Sequence, residues 1–282
     1  MHTKYALIGY PLGYSLSPAL HNYFFSEEKI DANYVSYPLK KEQLKDLFES
    51  KQFKGFNVTI PYKEDVLPLC DELTETAQKI GAVNTVKLVN GKYLGTNTDA
   101  PGFTLMLKEE ANFELTDKTI FLLGAGGAAK AITYSALTEN CKKIMIYDIS
   151  EERTAVLKNH YANKKIETTS ATTRFQDIIA QADIIINATP IGMEETINQS
   201  ILSEEQLAFA NNACLIVDII YSPEKTKLLA LAQSLGLKTL NGLGMLAGQG
   251  ILGEKFWFSK NLRYNISKEV LLRAIKSGIS SK

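Results

Sequence analysis

The feature that most constrains the fold of this chain is a strand that runs into a glycine turn and then a helix, at residues 119–130. The segment reads Thr-Ile-Phe-Leu-Leu-Gly-Ala-Gly-Gly-Ala-Ala-Lys. Glycines in such a turn let the backbone approach a pyrophosphate, whose charge is stabilised by N–H groups and the helix dipole. A tight turn between strand and helix can also need glycine for steric reasons alone. The residues predicted to bind phosphate are Gly124, Ala125, Gly126, Gly127 and Ala128.

The next predicted strand ends at Asp148, roughly twenty positions after the glycines, where an acidic residue would bind the ribose hydroxyls of a dinucleotide. This context favours dinucleotide binding over an empty turn. A carboxylate repels the 2′-phosphate of NADP by about 4 kcal/mol at ~4 Å and an effective dielectric of roughly 20, before screening. Asp148 therefore favours NAD, although Arg153 could reach a phosphate and offset part of the repulsion. Alternatively, Asp148 shares a helix cap with Ser150.

The order of strands and helices predicts an α/β fold with two lobes in 282 residues. From Lys118 onward the pattern predicts a Rossmann-type, doubly wound dinucleotide-binding domain at residues 102–245. Residues 1–101 contain Asn90-Gly91, a dipeptide typical of a two-residue hairpin turn, so we expect a mixed sheet in this substrate-binding catalytic domain. The helices predicted within residues 246–282 should pack back on it, and a ligand is expected in the cleft between the lobes.

Charge and cysteine content argue against several other classes of protein. The 31 basic and 31 acidic side chains give no electrostatic footprint for nucleic acid. Gly9 and Pro11 break the amino-terminal apolar run too early for a signal peptide, and no apolar run reaches membrane-spanning length. Cys70, Cys141 and Cys214 lack metal-ligand spacing, as expected of a reduced cytoplasmic chain without a metal.

Lys63 and Asp99 are the candidate catalytic residues. Reduction of a ketone needs a positioned proton donor, which typically contributes ~10²–10⁴-fold in rate. Lys63 follows a predicted strand and Pro61, which suits a first helical position, so we expect the lysine in the first turn of a helix. Asp99 is expected at the start of a later helix. Alternatively, both are solvated surface groups and Asp99 only caps its helix.

Polar residues at other helix starts and strand ends predict a substrate with a carboxylate and several hydroxyls. Ser15 and Ser17 precede Pro18 at a predicted helix start, which can bind a carboxylate, although Ser17 is equally suited to be an N-cap. Amide side chains both donate and accept hydrogen bonds, which suits hydroxyl groups. The strand-end residues are Asn57, Thr59, Asn84, Asn97 and Thr98.

Read together, these segments resemble the shikimate dehydrogenase family across nearly the whole chain. The matching segments are Ser15-Leu-Ser-Pro18, Asn57-Val-Thr-Ile-Pro-Tyr-Lys63, Gly81-Ala-Val-Asn-Thr85, Asn97-Thr-Asp99, Gly124-Ala-Gly-Gly-Ala128, Asn187-Ala-Thr-Pro190 and Asn241-Gly-Leu-Gly-Met-Leu-Ala-Gly-Gln249. The resemblance implies that Ser15 and Ser17 bind the substrate carboxylate and that Lys63 is the acid/base group, paired with Asp99. The residues implied to hold the ring or reach the substrate are Asn57, Thr59, Asn84, Asp99, Tyr221 and Gln249. Those implied to surround the nicotinamide are Thr189, Pro190, Ile219, Gly242 and Met245.

The resemblance implies reversible NAD(P)-dependent reduction of 3-dehydroshikimate to shikimate, a step in aromatic amino acid and chorismate biosynthesis, by a monomer or homodimer. NADP-using members carry an Asn-Arg-Thr-like run where this chain has Asp148-Ile149-Ser150, while Arg153 stands for the run's later arginine. An aspartate there is more like members that use NAD and accept quinate, so NAD and NADP both stay open. The alternatives are a catabolic quinate/shikimate dehydrogenase and a non-catalytic dinucleotide-sensing module.

Overall fold

The computed structural model describes residues 3–13 and 15–277, and the chain divides into two compact units. The first unit comprises Met1–Phe103 and Leu246–Lys282, and the second comprises Thr104–Met245. Each unit is built on a six-stranded sheet with helices, which confirms the predicted α/β fold class. Within the described ranges, no helix is long and apolar enough to cross a membrane.

The first unit has a mixed sheet. Its strands are β1 (Thr3–Gly9), β2 (Ala32–Pro38), β3 (Gly55–Val58), β4 (Glu72–Leu73), β5 (Thr85–Val89) and β6 (Lys92–Thr96), in the order β2-β1-β3-β5-β6-β4. The three strands β1 to β3 are parallel, whereas β5 runs antiparallel to both β3 and β6. Asn90 and Gly91 join β5 to β6 with φ angles of 50° and 78°, so the predicted hairpin turn is confirmed.

The first unit also contains helices. They are α1 (Ser17–Glu27), α2 (Leu44–Ser50), α3 (Glu75–Ile80) and α11 (Tyr264–Lys276), together with the first part of α4 (Asp99–Ala111) and most of α10 (Leu243–Phe258), which extend into the second unit. Residues Lys41–Gln43 and Leu67–Leu69 form single 3-10 turns. Within this unit, Trp257 of α10 donates through Nε1 to the Val86 carbonyl at 2.9 Å, which attaches α10 to the sheet.

The second unit has a sheet in which every strand pairing is parallel. Its strands are β7 (Thr119–Leu123), β8 (Lys143–Tyr147), β9 (Ile166–Thr169), β10 (Ile184–Asn187), β11 (Leu215–Asp218) and β12 (Lys238–Leu240), in the order β12-β11-β10-β7-β8-β9. The helices are α5 (Gly127–Thr138), α6 (Glu151–Tyr161), α7 (Phe175–Gln181), α8 (Glu204–Leu207) and α9 (Lys227–Ser234), with 3-10 turns at Thr172–Arg174 and Glu194–Thr196. The direction in which strands are added reverses between β7 and β10, so their carboxyl ends border the crevice where such sheets bind ligands.

Burial explains why the four central strands of the second unit, β11, β10, β7 and β8, are largely apolar. All four residues of β10 and of β11 are buried, because parallel sheets are covered on both faces. Phe121 on β7 and Tyr147 on β8 both pack edge-on against Phe175, with ring centroids 5.3 and 4.7 Å away. The ends of these strands are thereby held by a packed core, which fixes the positions of the loops that follow them.

Candidate active site

Lys63 and Asp99 form an ion pair in the first unit. Lys63 Nζ donates to Asp99 Oδ2 at 2.6 Å, and the two side chains are 19% and 7% exposed. The expectation that Lys63 lies in the first turn of a helix is wrong, since residues 60–66 form turns. Val83 N donates to the Lys63 carbonyl at 2.7 Å and occupies an acceptor that a helix would use within itself.

Two asparagines hold Asp99 in place, one through its carboxylate and the other through its backbone N–H. Asn84 Nδ2 donates to Asp99 Oδ1 at 2.9 Å, which leaves Oδ2 facing Lys63. Asn97 Oδ1 accepts from Asp99 N at 3.0 Å at the start of α4, so the asparagine supplies the helix cap. The alternative in which Asp99 only caps its helix therefore does not hold, and its carboxylate is available to the lysine.

The amide of Asn84 is itself fixed by the backbone and by a hydroxyl. Its Oδ1 accepts from Thr98 N at 2.8 Å and from Thr85 Oγ1 at 3.0 Å. These bonds determine which end of the amide faces Asp99, because an oxygen at that position would meet a second acceptor. The ion pair is consequently built on a rigid network of buried groups, as a catalytic group needs for accurate positioning.

Asn57 on β3 uses both of its amide hydrogens within the protein. Its Nδ2 donates to Thr85 Oγ1 at 2.9 Å and to the Asn84 carbonyl at 3.3 Å, while Oδ1 accepts from Tyr34 Oη at 2.7 Å. An amide oxygen has two acceptor lone pairs, and the Tyr34 hydroxyl uses one of those on Oδ1. Sequence reasoning missed Tyr34, whose only signal is a buried-face position on β2. Thr59 follows β3 and is half-buried, with its N–H donating to the Ile8 carbonyl at 2.9 Å.

Ser15 and Ser17 lie at the start of α1. The predicted N-cap role of Ser17 is wrong, because the helix begins at Ser17 itself and the cap residue, Leu16, makes no side-chain cap hydrogen bond. Instead, Ser17 N donates to Ser15 Oγ at 3.3 Å. A hydroxyl that accepts from the backbone keeps its own proton for donation, so Ser15 can bind an anionic group at this helix start.

Gln249 lies where α10 crosses α4 within the first unit. A Cβ atom at Gly102 would be 2.6 Å from Gln249 N, so glycine is needed for the two helices to approach this closely. Gln249 Nε2 donates to the Leu246 carbonyl at 3.0 Å. Because Gly102 follows Asp99 by about one helical turn, the crossing places the backbone of Gln249 near the start of α4.

The glycine turn after β7 leaves space above the start of α5. Gly124 has a φ of +108°, and a Cβ there would lie 2.9 Å from the Ala188 carbonyl oxygen. Cβ atoms at Gly126 and Gly127 would meet nothing within 4 Å, and no side chain caps the helix. The first-turn N–H groups of α5, including that of Ala128, therefore face a space that an anionic oxygen would fill.

Asp148 holds this turn from the end of β8. Its Oδ2 accepts from Ala125 N and its Oδ1 from Ser150 N, both at 2.9 Å. Ser150 Oγ accepts from Arg153 N at 3.3 Å and so caps α6 without a contribution from Asp148. The carboxylate is 8% exposed, whereas the neighbouring Ile149 is 85% exposed. Asp148 thus lies beside the glycine turn, the position at which the sequence predicts a ribose-binding residue.

The residues that the resemblance assigns to the nicotinamide follow the carboxyl ends of β10, β11 and β12; they are Thr189, Pro190, Ile219, Gly242 and Met245. Gly242 N donates to the Ile220 carbonyl at 3.0 Å, and a Cβ at Gly242 would lie 1.8 Å from the Ile219 carbonyl oxygen. Only glycine permits this backbone contact. Tyr221 follows Ile220 on the loop after β11 and is half-buried.

No group of three or more candidate metal-ligating side chains occurs in the part of the chain that the structure describes. The second unit is a doubly wound parallel sheet with open space at its glycine turn, and the first is an α/β unit with a partly buried lysine–aspartate pair. Together these features define the class of dinucleotide-dependent dehydrogenases.

Two family models match the chain: the shikimate dehydrogenase substrate binding domain over residues 7–86, and shikimate / quinate 5-dehydrogenase over residues 106–225. The chain belongs to the shikimate dehydrogenase family, which confirms the resemblance seen in its sequence.

Individual relatives are similar over nearly the whole chain. The shikimate dehydrogenase (NADP+) of Alkaliphilus metalliredigens is 38% identical, over 94% of this chain and 95% of its own. That of Methanocaldococcus jannaschii is 36% identical, over 95% and 96%. A crystal structure of shikimate 5-dehydrogenase from Listeria monocytogenes, in complex with shikimate and NAD, is 31% identical and covers 96% of both chains with a TM-score of 0.87.

Proposed function

We propose that this protein catalyses the reversible NAD(P)-dependent reduction of 3-dehydroshikimate to shikimate in aromatic amino acid and chorismate biosynthesis. The observation that carries the proposal is the Lys63–Asp99 ion pair, with the Asp99 carboxylate oriented by Asn84. The shikimate dehydrogenase relatives support the choice of substrate.

Lys63 acts as the general acid in the reducing direction. Negative charge develops on the carbonyl oxygen as the ketone is reduced, and the Lys63 ammonium donates a proton to that oxygen, giving the hydroxyl. In the reverse direction the neutral amine removes the hydroxyl proton. Asp99 keeps the amine oriented, since its Oδ2 atom lies only 2.6 Å from Lys63 Nζ. When bound, the nicotinamide would supply the two electrons and the hydrogen that go to the carbonyl carbon.

The first unit provides the substrate ligands in this proposal. Ser15 and Ser17 bind the carboxylate at the start of α1. Asn57 accepts from a ring hydroxyl, because both of its amide hydrogens are committed to protein acceptors. The remaining residues assigned to ring hydroxyls are Thr59, Asn84, Asp99 and Gln249. The role of Tyr221 in reaching the substrate stays a prediction.

The second unit binds the dinucleotide in this proposal. The N–H groups at the glycine turn would hold the pyrophosphate, and Asp148 would accept from the ribose. The nicotinamide ring would be held by Thr189, Pro190, Ile219, Gly242 and Met245. We propose NAD as the preferred cofactor, because a 2′-phosphate would face the Asp148 carboxylate and the apolar Ile149 side chain. Arg153 in the first turn of α6 offsets part of this preference.

A quinate/shikimate dehydrogenase that uses NAD is the second candidate. Asp148 favours it, since the family pattern links an aspartate at this position with NAD use and with acceptance of quinate.

We further propose that the enzyme works in the cytoplasm on small molecules, because Cys70, Cys141 and Cys214 are all free thiols, as is typical of a reducing compartment.

Steady-state rates with shikimate and with quinate, each with NAD+ and with NADP+, test these proposals. Turnover of shikimate with kcat/KM higher for NAD+ supports the primary proposal, and comparable turnover of quinate supports the second candidate. Nucleotide binding without any change in nicotinamide absorbance on adding either acid would show instead a non-catalytic dinucleotide-sensing module and would refute both enzymatic proposals.

A further inference from the structure

A buried aspartate at the end of β11 joins three loops of the second unit. Asp218 is fully buried, as are its two side-chain partners, Asn187 and Thr226. Its Oδ1 accepts from Asn187 Nδ2 and from Ile220 N, both at 3.1 Å, and its Oδ2 accepts from Thr226 Oγ1 at 2.7 Å. In the sequence, Asn187 and Asp218 each come at the end of an apolar run. In the structure, they end the neighbouring strands β10 and β11 and pair in register. Asp218 has none of the roles assigned above.

Asn187 transmits this contact to the loop after β10. Its Oδ1 accepts from Thr189 N at 3.0 Å and from Thr189 Oγ1 at 2.7 Å, while its Nδ2 also donates to the Ile191 carbonyl at 3.1 Å. The amide thus forms hydrogen bonds on both sides of Pro190. Because Asp218 accepts from the Asn187 amide nitrogen, it also determines which end of the amide faces Thr189.

The loop after β11 is fixed by the same carboxylate. Asp218 binds Ile220 N, and the Ile220 carbonyl in turn accepts from Gly242 N at 3.0 Å. Ile219 N donates to the Asn187 carbonyl at 3.1 Å. Four of the five residues assigned to the nicotinamide, namely Thr189, Pro190, Ile219 and Gly242, therefore lie on loops that Asp218 connects.

We propose that Asp218 is a positioning residue that fixes the loops holding the nicotinamide ring, without touching the cofactor itself. This inference rests on the proposed function, because that function assigns the loops to the nicotinamide. Burial raises the pKa of the Asp218 carboxyl, and the hydrogen bonds from Thr226, Ile220 and Asn187 offset part of the rise. Two donors converge on Oδ1 and one on Oδ2, so an amide at this position would lose the acceptor that faces Thr226.

The Asp218→Asn variant distinguishes an effect on the position of the nicotinamide ring from an effect on the affinity for the rest of the nucleotide. ADP-ribose carries the adenosine and pyrophosphate but no nicotinamide, so its dissociation constant, measured by calorimetry, should stay within about twofold of the unsubstituted protein. The dissociation constant for NADH should rise about tenfold and kcat should fall about 100-fold, as expected for a misplaced reacting group. The binding arm needs no turnover, so it remains informative even if shikimate proves not to be the substrate.

Asp183→Asn is the matched control. Asp183 precedes β10, at the amino-terminal ends of the strands of the same sheet, and accepts from Thr119 N at 2.8 Å. It should lower the melting temperature without changing the ratio of the NADH and ADP-ribose dissociation constants. If Asp218→Asn does not fold, Asn187→Ala carries the same expectation, since it removes the side chain that links Asp218 to the loop containing Thr189. Equal changes for NADH and ADP-ribose, or no change in either with kcat preserved, would overturn the inference.

Discussion

The Lys63→Met variant removes the ammonium group while keeping an unbranched side chain of similar length. A positioned proton donor contributes ~10²–10⁴-fold, which corresponds to about 3–5 kcal/mol of transition-state stabilisation. We therefore expect kcat for shikimate oxidation to fall by that factor. The KM for shikimate should change much less, because its proposed ligands, Ser15, Asn57 and Gln249, are unchanged.

The same variant leaves Asp99 with a single side-chain donor, the Asn84 amide. Removing one partner of a fully buried ion pair costs about 3–5 kcal/mol, and we expect about 1–3 kcal/mol here because solvent reaches the lysine side chain. The double variant Lys63→Met/Asp99→Asn should recover part of this loss of stability, since no unpaired charge remains. Its kcat should nevertheless stay as low as that of the single variant.

Two measurements check this reasoning: nicotinamide absorbance for turnover and urea unfolding for the free energy of folding. Lys92→Met is the matched control, because Lys92 pairs with Glu72 in the same unit but both side chains are more than half exposed. It should leave kcat and stability nearly unchanged, as exposed pairs contribute little. A Lys63→Met enzyme that turns over within threefold of the unsubstituted protein would refute the proton-donor role.

Three further substitutions or treatments have defined outcomes. Tyr34→Phe removes the donor to Asn57 Oδ1, so the free energy of unfolding should fall by about 1–3 kcal/mol and the KM for shikimate should rise. Tyr93→Phe is the control: it removes a comparable buried hydrogen bond to a carbonyl and should lower stability without changing the KM. Burial raises the pKa of Cys70 to about 12, so a thiol reagent at pH 8 should label it roughly a thousandfold more slowly in the folded protein than in urea. Ile149→Arg should shift the ratio of kcat/KM towards NADP+ by pairing with the 2′-phosphate, and an unchanged ratio would contradict the assignment of this loop.

Elements with strong local signals were predictable from the sequence. The hairpin follows from Asn90-Gly91, because these residues tolerate positive φ angles, and the structure has φ of 50° and 78° there. The strand at residues 119–123 and the glycine turn after it follow from a continuous apolar run that meets residues without side chains. In both cases the determining interactions lie within a few residues along the chain.

The local structure around Lys63 was not predictable in the same way. Pro61 suits a first helical position, yet Val83, twenty residues further on, donates to the Lys63 carbonyl and favours turns over a helix. Similarly, the sequence did not identify Tyr34 as a site residue, because its hydrogen bond to Asn57 joins β2 to β3 across the sheet. Hydrogen bonds between distant segments leave no periodic pattern in the sequence, so the groups that support a site are harder to find than the site itself.

Asp99 and Asp218 are two buried carboxylates with different kinds of hydrogen-bond donor. The donors to Asp218 are two uncharged side chains and one backbone amide, all held by the fold, so this carboxylate has no partner that changes during a reaction. Asp99 instead shares its charge between a fixed amide, Asn84, and the flexible, partly exposed Lys63. In the proposed mechanism Lys63 gives up its proton, and Asp99 then keeps the Asn84 hydrogen bond and is not left without a donor. In that mechanism the loss of the ammonium costs less than at a site where the lysine is the sole partner of the carboxylate.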